Sequence, residues 1–205
     1  AASDVYKRQS HFLGQNFAKA FDVQYANRDG KLDYVWATSW GVSTRLMGAL
    51  VMTHGDDNGL VLPPDLAPYQ VVFIPIFKSP ADLEKIINYI EPTIHEFSKN
   101  NISFHIDKRD SFKPGFKFNE YEMKGVPIRI AVGQKDIENS TMEIFRRDKM
   151  EKKTIELETV SSKVEELLID IQKNIFSKAL KFRDDNIRQA ENYEDFKNII
   201  AVSYT

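Results

Sequence analysis

Gln70-Val71-Val72-Phe73-Ile74-Pro75-Ile76-Phe77, followed at once by Lys78-Ser79-Pro80, decides how the larger part of this 205-residue chain is read. The first eight residues carry no charge and are rich in β-branched and aromatic side chains, so they read as a strand. Ser79 suits a helix N-cap and Pro80 the first helical position, where its missing N–H costs nothing. Leu83, Ile86, Ile87, Ile90, Ile94 and Phe97 then recur at helical spacing, and Asn100-Asn101 marks a stop. Ile102 to Ile106 reads as a short strand. Strand, helix and strand within about forty residues make a βαβ unit, hence a parallel pair.

Downstream, Val126 to Val132 and Thr141 to Arg146 read as a third and a fourth strand. Ser162-Lys163-Val164-Glu165 has capping-box spacing and would open a helix with Leu167, Leu168, Ile171 and Ile175 on one face. Residues from about 69 to 175 are therefore expected to form one α/β domain with a mixed sheet. The stretch from Lys178 to Thr205 is charged, reads as helical and has too few apolar residues for a core of its own.

Upstream, Pro63-Pro64 and Pro68 mark a break in composition, expected to be a stiff linker between domains. Before it, Phe21 to Tyr25 and Tyr34 to Trp40 flank the turn signal Asn27-Arg28-Asp29-Gly30, which suggests an antiparallel hairpin whose second strand is buried. Val42 to Met52 is apolar nearly all round, apart from Arg45, and reads as a core helix.

Composition narrows the function classes. With 42% apolar residues and fourteen Phe the chain has the means to build a core, and 28% charged residues is near the globular average. Zero Cys excludes a disulfide scaffold or a thiolate metal site in these residues. The charges nearly cancel, 28 basic against 30 acidic, so nucleic-acid binding would need a local patch. No apolar run approaches the ~20 residues of a membrane span, and a cytoplasmic location with no membrane partner is expected.

Arg45 is the most informative single residue. On a core helix its guanidinium would have to meet an anion, either a core carboxylate or a phosphate at the helix N-terminus. Trp40 and His11 read as core aromatics, or as the wall and the polar end of a small-ligand pocket. Between Asp107 and Lys153, twelve Lys and Arg face nine Asp and Glu, with Phe112, Phe116, Phe118 and Tyr121 interleaved. Cations for phosphates and π faces for unpaired bases are what single-stranded RNA needs, although a solvated sheet edge would look similar. His54, Asp56 and Asp57 match no established metal-ligand spacing, and no metal site is expected. His95 and His105 read as structural. No Gly-rich phosphate loop or Gly-x-Ser-x-Gly elbow is present.

Three stretches carry a resemblance. Ser10-His11-Phe12-Leu13-Gly14-Gln15-Asn16-Phe17 is the first, and Thr38-Ser39-Trp40-Gly41-Val42-Ser43-Thr44-Arg45 the second. The third is His54-Gly55-Asp56-Asp57-Asn58-Gly59-Leu60-Val61-Leu62-Pro63-Pro64. Together they resemble the prolyl-tRNA synthetases of the form shared by archaea, eukaryotes and some bacteria. Pro114-Gly115-Phe116-Lys117-Phe118-Asn119-Glu120-Tyr121-Glu122-Met123-Lys124-Gly125-Val126-Pro127 and Arg146-Arg147-Asp148 extend it, so that it covers Ser10 to about Ile200.

The resemblance implies the C-terminal piece of a class II antiparallel catalytic sheet over residues 1–66, an anticodon-binding domain over 67–175 and the start of a truncated C-terminal extension over 176–205. The implied reaction is ATP-dependent: proline becomes prolyl-adenylate and the prolyl group then moves to its transfer RNA. Proline tRNA, L-proline and ATP are the implied partners, with Mg2+ and homodimerisation in the full-length enzyme. Arg45 resembles the motif 3 arginine that holds the ATP phosphates, the one catalytic assignment here, and Ser43 a neighbouring ATP contact. His11 and Trp40 fall on proline-pocket positions. Phe118, Glu122, Arg129 and Lys135 fall on positions that resemble the anticodon readers.

The sequence also departs from that family. Motifs 1 and 2 are absent, so the 205 residues alone are expected to be inactive. Asp4 to Gln9 does not fit the family approach to Ser10, and residues 1–9 are set apart as foreign to the pattern. A zinc site would belong to the extension. Ala131 and Gln134 stand where the family pattern has Glu and Pro. The alternative reading is a stand-alone RNA-binding module of anticodon-domain type.

Overall fold

A computed structural model describes residues 8–202, in two units, one ending at Gly55 and the other beginning at Asp56. In the first, β1 (Arg8–Gly14) runs antiparallel to β4 (Ala37–Val42), with Ser10 opposite Trp40 and His11 opposite Ser39. Between them lie α1 (Asn16–Ala20) and the small hairpin of β2 (Gln24–Ala26) and β3 (Leu32–Tyr34). The Asn27 side chain closes its turn by accepting from the backbone N–H groups of Asp29 and Lys31, both at 3.0 Å. The Gln15 amide fastens α1 to β3, donating to the Tyr34 carbonyl at 2.8 Å. The unit ends in α2 (Arg45–His54).

Two expectations fail in this unit. The stretch Tyr34 to Trp40 is not one buried strand: it breaks between β3 and β4, and Trp36 and Trp40 are 66% and 79% exposed. The helix forms where expected, but α2 buries no residue, and Arg45 is exposed rather than sealed in a core. Leu46, Met47, Ala49 and Leu50 favour helix whatever covers them. Burial needs an opposing layer, and among the described residues of this unit only Ala18 is buried.

The second unit opens within a tight hairpin, β5 (Gly55–Asp56) and β6 (Gly59–Leu60), of which Gly55 is the last residue of the first unit. Leu62, Pro63 and Pro64 are then buried, so the prolines stiffen a packed segment and not a free linker. Next comes β7 (Val71–Pro75), buried throughout, as a central strand covered on both faces must be. The Ser79 hydroxyl caps α3 (Pro80–Lys99) as expected, accepting from the Asp82 N–H at 3.2 Å and donating to its carboxylate at 2.8 Å. Ile86, Ile90 and Phe97 are buried along one face, and Asn100 ends the helix.

The chain continues through β8 (Phe104–Ile106), α4 (Pro114–Met123), β9 (Ile128–Val132), α5 (Gln134–Asn139), β10 (Thr141–Arg146) and β11 (Glu151–Glu156). It ends in α6 (Val160–Asn186) and α7 (Tyr193–Val202). The sheet order is β11-β10-β9-β7-β8, with β7 parallel to β8 and β9, and β10 antiparallel to both neighbours. This is the expected mixed sheet and βαβ unit.

Alternation along the strands sorts the two faces. Val71, Phe73, Ile128, Ile130 and Val132 meet α3 and α6 in the main core, with Met142, Ile144, Val160, Val164 and Leu168. Val72 and Ile74 lie on the other face under α4, packed with Tyr121, Val126 and Phe118. The start of α6 differs from expectation. A short 3-10 turn (Leu157–Thr159) leads into Val160, so Ser162 sits inside the helix and donates to the Thr159 carbonyl at 3.1 Å. The α6 helix also runs without a break past residue 175.

Candidate nucleic-acid interface

The helix α4 is placed by its charges as much as by its apolar face. Lys117, on its buried side, is sealed from solvent and donates to the carbonyls of Asp107, at 3.1 Å, and Arg109. Its ammonium lies 3.4 Å from the equally buried Asp107 carboxylate. Arg109 bridges that carboxylate to Glu120 of α4, 2.6 Å from each. Burial pushes the Asp107 carboxyl up, but the Arg109 hydrogen bonds and the Lys117 charge outweigh it and hold the pKa at about 2. These contacts nail α4 to the end of β8.

At the far end of the sheet the run Arg146-Arg147-Asp148 fastens three elements. Arg146 pairs with Asp148 and with Asp170 of α6, both at 2.7 Å, and Asn174 of α6 donates to Asp148 at 2.5 Å. Arg147 turns the other way, to Asp56 of the opening hairpin. Of the basic residues between Asp107 and Lys153, seven of the eight lysines are exposed, while the others are largely internal. Arg109, Lys117, Arg146 and Arg147 are held in ion pairs within the fold.

Arg129 is the exception. It lies on β9, on the sheet face that α4 covers, and only 4% of it is exposed. Its guanidinium is sandwiched between the Phe118 ring of α4 at 4.1 Å and the Phe145 ring of β10 at 4.3 Å. The Glu122 carboxylate approaches to 3.9 Å, too far for a good hydrogen bond, and the Arg129 Nε has no hydrogen-bond partner. Burial pushes its pKa below the ordinary arginine value, against the pull of Glu122 and Glu143. A buried donor without a partner is costly.

Three expected anticodon readers, Phe118, Glu122 and Arg129, are therefore assembled in one cluster. One ring face of Phe118 is taken by the guanidinium. Phe145, on the far side of Arg129, carried no sequence signal, because its role depends on cross-strand pairing with Arg129. Lys135 is placed apart, on the first turn of α5. There it lines a cleft of about 580 Å³ at the carboxyl ends of β7 and β9, with Lys78, Lys85 and Gln134. Asp82 and Asp136 also line this cleft, but both are engaged in capping: Asp136 accepts from the Gly133 N–H at 2.8 Å. A crevice where the parallel strands diverge is a common ligand position in α/β sheets.

In the first unit, Arg45 begins α2, and the Ser43 hydroxyl two residues earlier is buried without a hydrogen-bond partner among the described residues. His11 and Trp40 sit on neighbouring rungs of the β1–β4 ladder. Alternation sends them to opposite faces, His11 with Ser39 and Trp40 with Ser10. Among the described residues no group of His, Asp and Glu could hold a metal ion, and no helix is long and apolar enough to cross a membrane.

The pattern of the anticodon binding domain family matches residues 70–167. Over 191 residues, 93% of the chain, the sequence is 58% identical to a proline–tRNA ligase of Flavobacterium psychrophilum. It is 56% identical over the same share to those of Phocaeicola vulgatus and Porphyromonas gingivalis. All three are bacterial, which narrows the resemblance away from the archaeal and eukaryotic members. The chain covers 39%, 38% and 39% of these relatives, about two fifths of their length. Residues 70–167 thus match the anticodon binding domain family, and the chain is similar to proline–tRNA ligases along 93% of its length.

Proposed function

We propose that the chain is part of a proline–tRNA ligase whose second unit reads the anticodon of proline tRNA. The observation that carries this reading is Arg129, buried between two aromatic rings with its Nε open and a carboxylate beside it. That is the equipment for an unpaired base: Glu122 accepts from a guanine edge, Arg129 donates to a base or phosphate, and the Phe118 ring bounds the pocket. Lys135, in the cleft with Lys78 and Lys85, supplies charge for the phosphate backbone.

The first unit contributes to the ATP and proline sites of the full-length enzyme, a cytoplasmic homodimer that uses Mg2+ with ATP. Arg45 holds ATP phosphates, where a fixed cation offsets charge that develops as proline is adenylated. The open Ser43 hydroxyl fits a nucleotide contact beside it. Of the two proline-pocket positions, His11 and Trp40, the ladder lets only one face the pocket, because they project to opposite faces. The domains follow as residues 1–66, 67–175 and 176–205. A stand-alone RNA-binding module is less well supported, because the likeness to the ligases spans 93% of the chain and so takes in most of the first unit as well.

Glu122→Ala tests the reading. Proline tRNA should lose affinity while an unrelated tRNA keeps its own. Equal loss for both would leave Glu122 a structural residue.

A further inference from the structure

Arg147 heads the fully buried side chains by volume, and its guanidinium is claimed from two directions. Its two terminal nitrogens form a fork on Asp56, donating to Oδ2 at 2.8 Å and to Oδ1 at 2.5 Å. Its Nε donates to the backbone carbonyl of Glu122 at 3.0 Å. Asp56 in turn accepts from the Asn58 N–H at 2.9 Å, which closes the β5–β6 hairpin. One side chain therefore joins the hairpin to the last turn of α4, at the residue whose carboxylate faces Arg129.

The backbones at this junction interlock. A Cβ on Gly59 would lie 2.5 Å from the Met123 Cα, and one on Gly125 would lie 2.6 Å from the Leu60 Cβ. The Leu62 N–H donates to the Gly125 carbonyl at 3.3 Å. With no side chain between them, the hairpin and the turn Met123–Gly125 cannot move independently. A cation at a helix C-terminus is favourable in itself, and here it also fixes the height of the helix end over the sheet.

We infer that Asp56, acting through Arg147, is a positioning residue for Glu122, so that the opening hairpin sets where the Glu122 carboxylate meets a base. Asp56 touches no base and its side chain is 41% exposed. Its effect is on discrimination, because a small shift of the last turn of α4 changes the angle of a base-edge hydrogen bond more than it changes backbone contacts. The inference rests on the proposed role of Glu122 as a base reader.

The experiment uses the whole chain. Affinity is measured for proline tRNA and for the same tRNA with one anticodon guanine replaced, alongside the circular dichroism melt of each variant. Asp56→Asn keeps the shape but loses the charge of the fork, and should cut the preference for proline tRNA roughly tenfold, the order of one good base-edge contact. The altered tRNA should bind as before. Folded Asp56→Asn with the wild-type preference, or with equal loss for both RNAs, overturns the inference. Should that variant be unfolded at the assay temperature, Arg147→Lys is read by the same ratio, since an ammonium cannot span both Asp56 and the Glu122 carbonyl, and an unchanged ratio again overturns it. Glu122→Ala is run in parallel. If it keeps the preference, the base-reader role itself fails, and that failure is distinct from an unchanged Asp56→Asn beside a defective Glu122→Ala.

Discussion

The Lys117 ammonium lies 3.4 Å from the Asp107 carboxylate, and neither side chain is open to solvent. An isolated charge at either place would cost several kcal/mol, and the pair is tolerable because backbone carbonyls and Arg109 complete its hydrogen bonds. It ties α4, which carries two of the proposed readers, to the strand end at β8.

That pairing predicts an acid-labile domain. A carboxylate held at about 2 on folding, against its ordinary 3.8, contributes stability at all pH values above the ordinary one. The contribution, on the order of 2 kcal/mol, fades as pH falls from about 4 toward 2. Asp56, Glu120, Asp148 and Asp170 are also held low by basic partners and act in the same direction. Urea unfolding at several pH values should show the loss, and Asp107→Asn should flatten it while lowering stability at pH 7 by about 3 kcal/mol. An unchanged pH slope in that variant would show that Asp107 does not drive it.

The glycines at the hairpin junction predict an asymmetric response to alanine. At Gly59 the added methyl meets the Met123 backbone, which has nowhere to go, and φ of +129° is unfavourable for any residue with a Cβ. Gly59→Ala should cost roughly 3 kcal/mol. Gly115, in the first turn of α4, has nothing near its Cβ position, so Gly115→Ala should be neutral or gain about 0.5 kcal/mol. Thermal melts of the two variants separate the cases, and equal shifts would contradict the interlock.

Local chemistry made part of this fold legible. Ser79 and Pro80 announce α3 because a cap and a first-turn proline act within four residues, and the fourth strand has the bounds Thr141–Arg146 that its sequence predicts. The helix α4 left no comparable trace, because its buried side needs Lys117, whose place depends on Asp107 from another element. The edge strand β11 was hidden by Lys152 and Lys153, charges that suit a sheet edge. In the site, Phe118, Glu122 and Arg129 were named from resemblance. Phe145 and the Asp56–Arg147 fork were not, since pairing register and a link across ninety-one positions leave no local trace.

Arg129 predicts a trade between stability and binding. A buried guanidinium with an open Nε is poorly compensated, so Arg129→Met, similar in reach and apolar, should leave the melting midpoint unchanged or raise it by about 1 kcal/mol of stability. Binding of proline tRNA should fall by at least about tenfold. A clear loss of stability with binding intact would make Arg129 a core residue and remove it from the interface.

Lys135 and Glu122 should fail in different ways. A lysine in a cleft beside Lys78 and Lys85 contributes charge without reading a base, so Lys135→Ala should weaken proline tRNA and anticodon-altered tRNA by the same factor. It should also reduce the salt dependence of binding by about one counterion, visible as a shallower slope of log affinity against log salt. Glu122→Ala removes no positive charge, so its salt slope should stay as it was while the preference for proline tRNA falls. If Lys135→Ala instead lost discrimination at an unchanged slope, Lys135 would be reading a base, and the cleft at the ends of β7 and β9 would belong to the recognition pocket and not to its electrostatic surround.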